Sequence, residues 1–422
     1  MSSYPAQAST MHVSAMQEVH PRPIEPTNDH IREPPSTYEL EQALASGVYT
    51  LRKLELTHGD GVYLIDAQGR RYLDLIAGQG TASLGHGHPR LQAALTAQAQ
   101  HLVACPASFP NPTRARFLER LGEVTGYGRF FLANSGAEAV EGAIKFACLL
   151  TGRQRLLAVG RSFHGRTLGA LALTSRAKYR QPFQGLLAST QWLRPEDLPM
   201  AETLIDGETA AVVLEPIQGE GGVHVLSEEY LRGLRKLCDA AGALLIVDEV
   251  QSGLGRCGEW LAHRRSGIQA DLVALAKGIA GGFPLGAIAL APGLGPLPVG
   301  SHGSTFGGNP LACAVGLATL ETLVEERLPE RAASLGAWAL KTLRCELADI
   351  PWVREVRGQG LLIGIDLRQR VGPLVQTLMA DDQILTLAAG PTVLRLLPPL
   401  VIDEPTWQRA IETIVVQIRR MG

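Results

Sequence analysis

The sequence predicts an α/β protein built on a mainly parallel sheet covered by helices. Three observations carry this reading. Short apolar runs recur as RFFLA (Arg129 to Ala133), RLLAV (Arg155 to Val159), AAVVLE (Ala210 to Glu215), ALLIVDE (Ala243 to Glu249) and LVALAK (Leu272 to Lys277). Helical patterns stand among them, from Glu138 to Leu150 and near Tyr230 to Ala240. The runs are apolar almost throughout instead of alternating, as in strands buried on both faces.

Taken in chain order, residues 1–36 have neither the apolar core of a signal peptide nor the acid-poor composition of a transit peptide, since Glu18, Glu25, Asp29 and Glu33 interrupt them. A disordered tail is expected there. From Val48 to Leu75 the pattern is of short strands, with GVYLIDAQGRRYLDL alternating on either side of Gln68-Gly69. A helix follows His88-Pro89, and another starts at Asn111-Pro112, where Asn suits the cap and Pro the first turn. After Gly308-Asn309-Pro310 come a long helical stretch and the strand-like VREVRGQGLLIGIDL and TVLRLLPPLVI. The closing helix carries Trp407, Ile411, Ile414, Val415 and Ile418 at helical spacing. The expected division is a tail (1–36), an N-terminal segment of a small α+β domain (37–85), a large domain (86–308) and the C-terminal remainder of the small one (309–422).

With 422 residues, 45% of them hydrophobic, the chain can bury two closely associated cores. A formal charge of −2, with both signs interspersed, offers no basic stripe for nucleic acid or anionic lipid, so small molecules are the expected partners. The six cysteines form no CxxC pair, which suits a reducing cytoplasm. Residues 278–300 carry no charge, but their seven glycines and four prolines would break a membrane-spanning helix. They read as strand and loops.

The chemistry is concentrated in Asp248 and Lys277. Each closes an apolar run that should not end in a buried unpaired charge. Delivered by neighbouring strands to one sheet edge, a carboxylate and an amine suit pyridoxal phosphate (PLP), whose aldehyde takes a lysine as a Schiff base and whose ring nitrogen takes an aspartate. Asn134-Ser135-Gly136-Ala137-Glu138, between strand and helix, offers free N–H groups to a phosphate and equally well reads as an S-x-x-E capping box. Ser162 to Thr167 brings Phe163 and Arg166, for a flat ring and a carboxylate respectively; a lone aromatic near a strand end is as readily core. Glu215 and Glu220 flank a glycine-rich loop, as site carboxylates or as surface charge. Gly253 to Gly258 matches G-x-G-x-x-G, but without a following helix it reads as a flexible loop. His86 and His88 lack the further ligands a metal needs.

Taken together and in order, NSGAEA, SFHGRT, EPIQGEGG, DEVQSGLGR, LAKGIAGGFPLGA and GSHGSTFGGNPLA resemble the class III aminotransferases of fold type I PLP enzymes, from about Gly47 to Val416. The resemblance implies a mainly parallel seven-stranded sheet flanked by helices. It also implies that Lys277 anchors PLP covalently, Asp248 pairs with the ring nitrogen, Val250 and Phe163 sandwich the ring, and Gln251 meets its phenolic oxygen. Ser135, Gly136 and Ala137 match the phosphate site, while Ser304 and Thr305 match residues reaching the cofactor of a second subunit, which implies a homodimer with shared active sites. Arg166 and Arg395 match the arginines that bind 2-oxoglutarate or glutamate, and Glu220 the acid that pairs with Arg395 when another donor is bound.

Within the class, GQGTASLGHGHP, CPASFPNP and AGPTVLRLLPPLVI look closest to acetylornithine aminotransferases and to LysW-type enzymes acting on lysine or ornithine held by a small acidic carrier protein. Residues 77–84 contain no aromatic, unlike enzymes for free ornithine, in which a tyrosine near the position of Gln79 grips the donor. This points to an N-blocked donor and a place in arginine or lysine biosynthesis. Transaminases for 4-aminobutyrate or free ornithine, and PLP aminomutases or decarboxylases of the same fold, remain as alternatives. The last two would keep Lys277 and Asp248 while dispensing with the Arg166, Arg395 and Glu220 arrangement.

Overall fold

The computed structural model describes residues 35–421, so the expected tail lies almost wholly outside the described residues. These fall into two units, divided between Glu55 and Leu56. In the first, the helix Thr37–Leu44 is capped reciprocally by Ser36 and Glu39. Among the described residues no strand forms before Leu56, so the strand pattern expected from Val48 begins later. Residues 48–55 include exposed Val48 and Tyr49 and have no ladder partner to use their alternation.

The second unit is organised by a seven-stranded sheet in the order Arg129–Ala133, Gly286–Leu290, Leu272–Leu275, Leu244–Asp248, Thr209–Leu214, Arg155–Val159, Thr190–Leu193. Only Gly286–Leu290 runs against the others, pairing antiparallel on both sides. The sheet is therefore mainly parallel, as expected. Its central strands are buried along nearly their whole length, which explains their unbroken apolar runs. The helix Gly136–Thr151 covers one face; Glu228–Ala241 covers the other with Tyr230, Leu231, Leu234 and Cys238 turned inward.

Strands Tyr63–Asp66 and Arg71–Asp74 form the expected hairpin, and Ile384–Leu385 joins the latter in parallel, so residues some 310 positions apart share a sheet. A further sheet joins Val353–Gln359, Leu362–Leu367, Val393–Leu396 and Leu387–Ala388. The closing helix Glu404–Arg419 buries Trp407, Ile411, Ile414, Val415 and Ile418, the stripe its periodicity predicts. Among the described residues, no helix is long and apolar enough to cross a membrane.

Candidate active site

Strands Thr209–Leu214, Leu244–Asp248 and Leu272–Leu275 run parallel and side by side, so their C-terminal ends open together. Beyond them lies a cavity of about 430 Å³ lined by Ser135, Gly136, Ala137, Phe163, Arg166, Asp248, Val250, Gln251 and Lys277 among others. These nine residues, all singled out by sequence, thus meet in one place.

Asp248 ends its strand opposite Ala274. Its Oδ1 accepts from the Val250 N–H at 3.0 Å, and its Oδ2 is 2.8 Å from His164 Nδ1. Lys277 does not end a strand as expected. The strand stops at Leu275, and Lys277 opens a short 3₁₀ turn with a φ of 47°. For a residue with a Cβ this conformation costs about 1–2 kcal/mol; such strain persists where the surroundings impose it, often at functional sites. Burial, followed by the positive charge of Arg395, lowers the pKa of the Lys277 amine; Glu220, Asp248 and Glu215 oppose this. A lowered amine pKa enlarges the neutral, nucleophilic fraction.

At the phosphate-like end, Ser135 Oγ accepts from the Glu138 N–H at 3.2 Å. Glu138 does not complete the box: its carboxylate turns to the Asn134 N–H at 2.6 Å. The cap therefore fixes the turn and leaves the start of a sixteen-residue helix against the cavity. A Cβ at Gly136 would lie 2.7 Å from Val250 Cγ1, so only glycine lets Val250 sit this close. Phe163 lines the same cavity and meets Tyr179 edge-on, and the exposed Arg166 guanidinium lies 3.7 Å from the Tyr179 ring centre.

Arg395 sits beside this cavity, outside its immediate lining, with only 1% of its surface exposed. It contacts Glu220 Oε1 at 2.5 Å and donates to Gln251 Oε1 and Gln79 Oε1, each at 3.3 Å. Gln79 belongs to a left-handed stretch in which Ala77, Gly78, Gln79 and Gly80 all have positive φ. Asp74 braces that stretch by accepting from the Ile76 and Ala77 N–H groups, and His86 binds its other oxygen at 2.8 Å, giving His86 a structural role.

Ser304 and Thr305 do not line this cavity. Ser304 Oγ accepts from Asn134 Nδ2 at 3.1 Å, and Thr305 is exposed. The segment Gly253 to Gly258, expected to be a flexible loop, is instead buried as far as Cys257. Glu215 is likewise no surface charge: it is buried, accepting from the Phe163 N–H at 2.7 Å and the Gly219 N–H at 3.3 Å. Burial, reinforced by Asp248, pushes its carboxyl up to about 7, with His164 and Lys277 acting the other way. Sequence reasoning could have found it, since Glu215 closes an apolar strand just as Asp248 does. His164 was missed because nothing in a polar loop marks which side chain turns inward.

The cavity thus joins an anion cradle at a helix start, apolar walls from Phe163 and Val250, a buried carboxylate and an amine of lowered pKa. Cβ-free Gly136 at the cradle and the buried, unpartnered Nε of Arg395 beside the pocket also fit an anionic, planar ligand. These groups suit PLP, and the site is that of a PLP-dependent transaminase.

The chain belongs to the class III aminotransferase family, whose model matches residues 45–418. It is 40% identical to the acetylornithine aminotransferase of Methanosarcina acetivorans, over 90% of this chain and 94% of that one. It is 41% identical to the [LysW]-aminoadipate semialdehyde transaminase of Deinococcus radiodurans, over 90% and 89%. Among solved structures, ornithine aminotransferase from Toxoplasma gondii superposes with a TM-score of 0.87 at 33% identity, covering 91% of this chain and 93% of its own. A PLP-bound amine transaminase from an uncultivated Pseudomonas species superposes at 0.82 with 30% identity, covering 88% and 96%.

Proposed function

We propose that this transaminase moves the terminal amino group of an N-α-blocked ornithine or lysine to 2-oxoglutarate, giving a semialdehyde and glutamate in arginine or lysine biosynthesis. The observation that carries the reading is Arg395, buried and neutralised by Glu220 while Gln79 and Gln251 hold it in place. A buried guanidinium whose carboxylate partner is removed is costly, so one acid is best exchanged for another. With Glu220 closed, the pocket suits a donor presenting no α-carboxylate there; with Glu220 withdrawn, Arg395 is available to the α-carboxylate of 2-oxoglutarate or glutamate. Arg166, stacked on Tyr179, suits the second carboxylate.

When bound, PLP supplies the electron sink that loosens a proton on the donor carbon. Lys277 would hold the cofactor and then carry that proton, its lowered pKa fitting it for the base role. Asp248 would keep the ring nitrogen protonated, Ser135, Gly136 and Ala137 would hold the phosphate, and Phe163 and Val250 would fix the ring plane. Gln251, already bound to Arg395, would link the ring's phenolic oxygen to the carboxylate site.

The donor reading is supported by the names of the two relatives and by an amide, not an aromatic, at position 79. An acidic carrier protein as donor scaffold is supported by Arg166, which lines the cavity, and by Lys178, both exposed against the Tyr179 ring. A homodimer with shared sites is supported by exposed Phe109 and Phe306. Their segments are tied together by Arg114, which donates to the carbonyls of Cys105, Phe109 and Gly308, and Phe306 directly follows Ser304 and Thr305 in the chain. The proposed domain division keeps residues 86–308 as the large domain and 309–422, with the N-terminal segment, as the small one. Six free cysteines support a cytoplasmic location.

Purified protein assayed with 2-oxoglutarate against acetylornithine, carrier-linked lysine, free ornithine and 4-aminobutyrate tests the reading. A specificity constant at least ~10-fold higher for a blocked donor is expected. Equal or better use of free ornithine or 4-aminobutyrate would overturn it.

A further inference from the structure

His164 is held on every side but one. Its N–H donates to Thr174 Oγ1 at 3.0 Å, and the neighbouring Phe163 N–H is fixed by Glu215. Its ring is fully buried, with Nδ1 2.8 Å from Asp248 Oδ2. An aspartate carboxylate only accepts hydrogen bonds, so Nδ1 must carry the proton. Nε2 is buried without a partner among the described residues. The other oxygen of Asp248 accepts from the Val250 N–H. One oxygen is thus fixed by backbone and the other by an imidazole, which together set the plane of the carboxylate and the direction of its remaining lone pairs.

We propose that His164 is a positioning residue that aims the Asp248 carboxylate at the ring nitrogen of PLP. This rests on the transaminase reading above. Among the described residues, no second side chain holds Asp248 in this way. Lys277 lines the same cavity without bonding to it, and Glu215 is spent on the Phe163 and Gly219 N–H groups. Removing the imidazole leaves Asp248 held by the Val250 N–H alone, loosening the plane of the carboxylate and weakening its grip on the ring and the coupling of ring protonation to Lys277. The charged groups acting on that amine are Arg395, Glu220, Asp248 and Glu215.

The test compares wild type with H164A, H164N and H164Q. H164N places an amide donor near the position of Nδ1, whereas H164Q carries its donor farther out. Apoprotein is titrated with PLP for affinity, and the visible band of the holoprotein is titrated with pH. The expected result for H164A and H164Q is PLP affinity at least ~10-fold weaker and a displaced band midpoint, with H164N close to wild type. Should H164A not fold, the contrast between H164N and H164Q carries the test. Wild-type affinity and midpoint in H164A and H164Q, or an H164N no better than H164Q, would overturn the inference. Failure of wild type to bind PLP would instead overturn the transaminase reading.

Discussion

The carboxylate of Glu220 meets the guanidinium of Arg395 at 2.5 Å, although Arg395 is all but completely buried and Glu220 keeps 30% of its side chain exposed. The acid is the more exposed partner. It lies in the short helical turn Gly219–Gly222, whereas Arg395 is fixed within the strand Val393–Leu396.

That asymmetry predicts the effect of Glu220→Gln. Without the acid, Arg395 is open to α-carboxylates at all times, so glutamate gains and the ω-amino donor loses. The ratio of their specificity constants should change by at least ~10-fold, about 1.4 kcal/mol, in favour of glutamate. Single-turnover measurements of the two half-reactions check it; an unchanged ratio would show that Glu220 does not gate Arg395.

Gly136→Ala is expected to weaken PLP binding by ~10-fold or more with little change in secondary structure. Its Cβ would meet Val250 at 2.7 Å, pushing one ring wall away from the helix start. Titration of the apoprotein with PLP, beside circular dichroism, measures both effects.

Acid sensitivity should arise in part at His224. Burial, then the charges of Arg357 and Arg161, lower its pKa to about 4 from an ordinary 6.5. Between those values the unfolded chain binds a proton that the folded protein refuses, so stability declines as pH falls from about 6.5 towards 4. Discounting for partial exposure, the loss is about 1–3 kcal/mol. Denaturant unfolding of wild type and His224→Gln at pH 7 and pH 4.5 tests this; the variant should lose less stability than wild type.

Much of this molecule was legible in the chain. The strand Arg155–Val159 matches its expected bounds because both of its faces are buried and apolar composition alone marks it, and the edge strand Arg129–Ala133 because its Phe130-Phe131-Leu132 run is apolar despite partial exposure. Thr190–Leu193 passed unread, as an edge strand with polar Thr190 and Gln191 needs less hydrophobicity. Lys277 was visible as a charge closing an apolar run, but its positive φ was not, since the strain is imposed by packing from elsewhere. The same holds for Gln79: its left-handed turn and its bond to Arg395 join positions 316 residues apart, and no local pattern encodes that meeting. His164 belongs with these, because its partner Asp248 lies 84 residues away.

The central claim is that Lys277 carries the cofactor. Reducing the PLP-loaded protein with borohydride and mapping the modified peptide by mass spectrometry tests it most directly. The expected result is a phosphopyridoxyl group on Lys277 alone, with Lys277→Ala unmodified and without transaminase activity. A modification at another lysine, or an active Lys277→Ala, would contradict it.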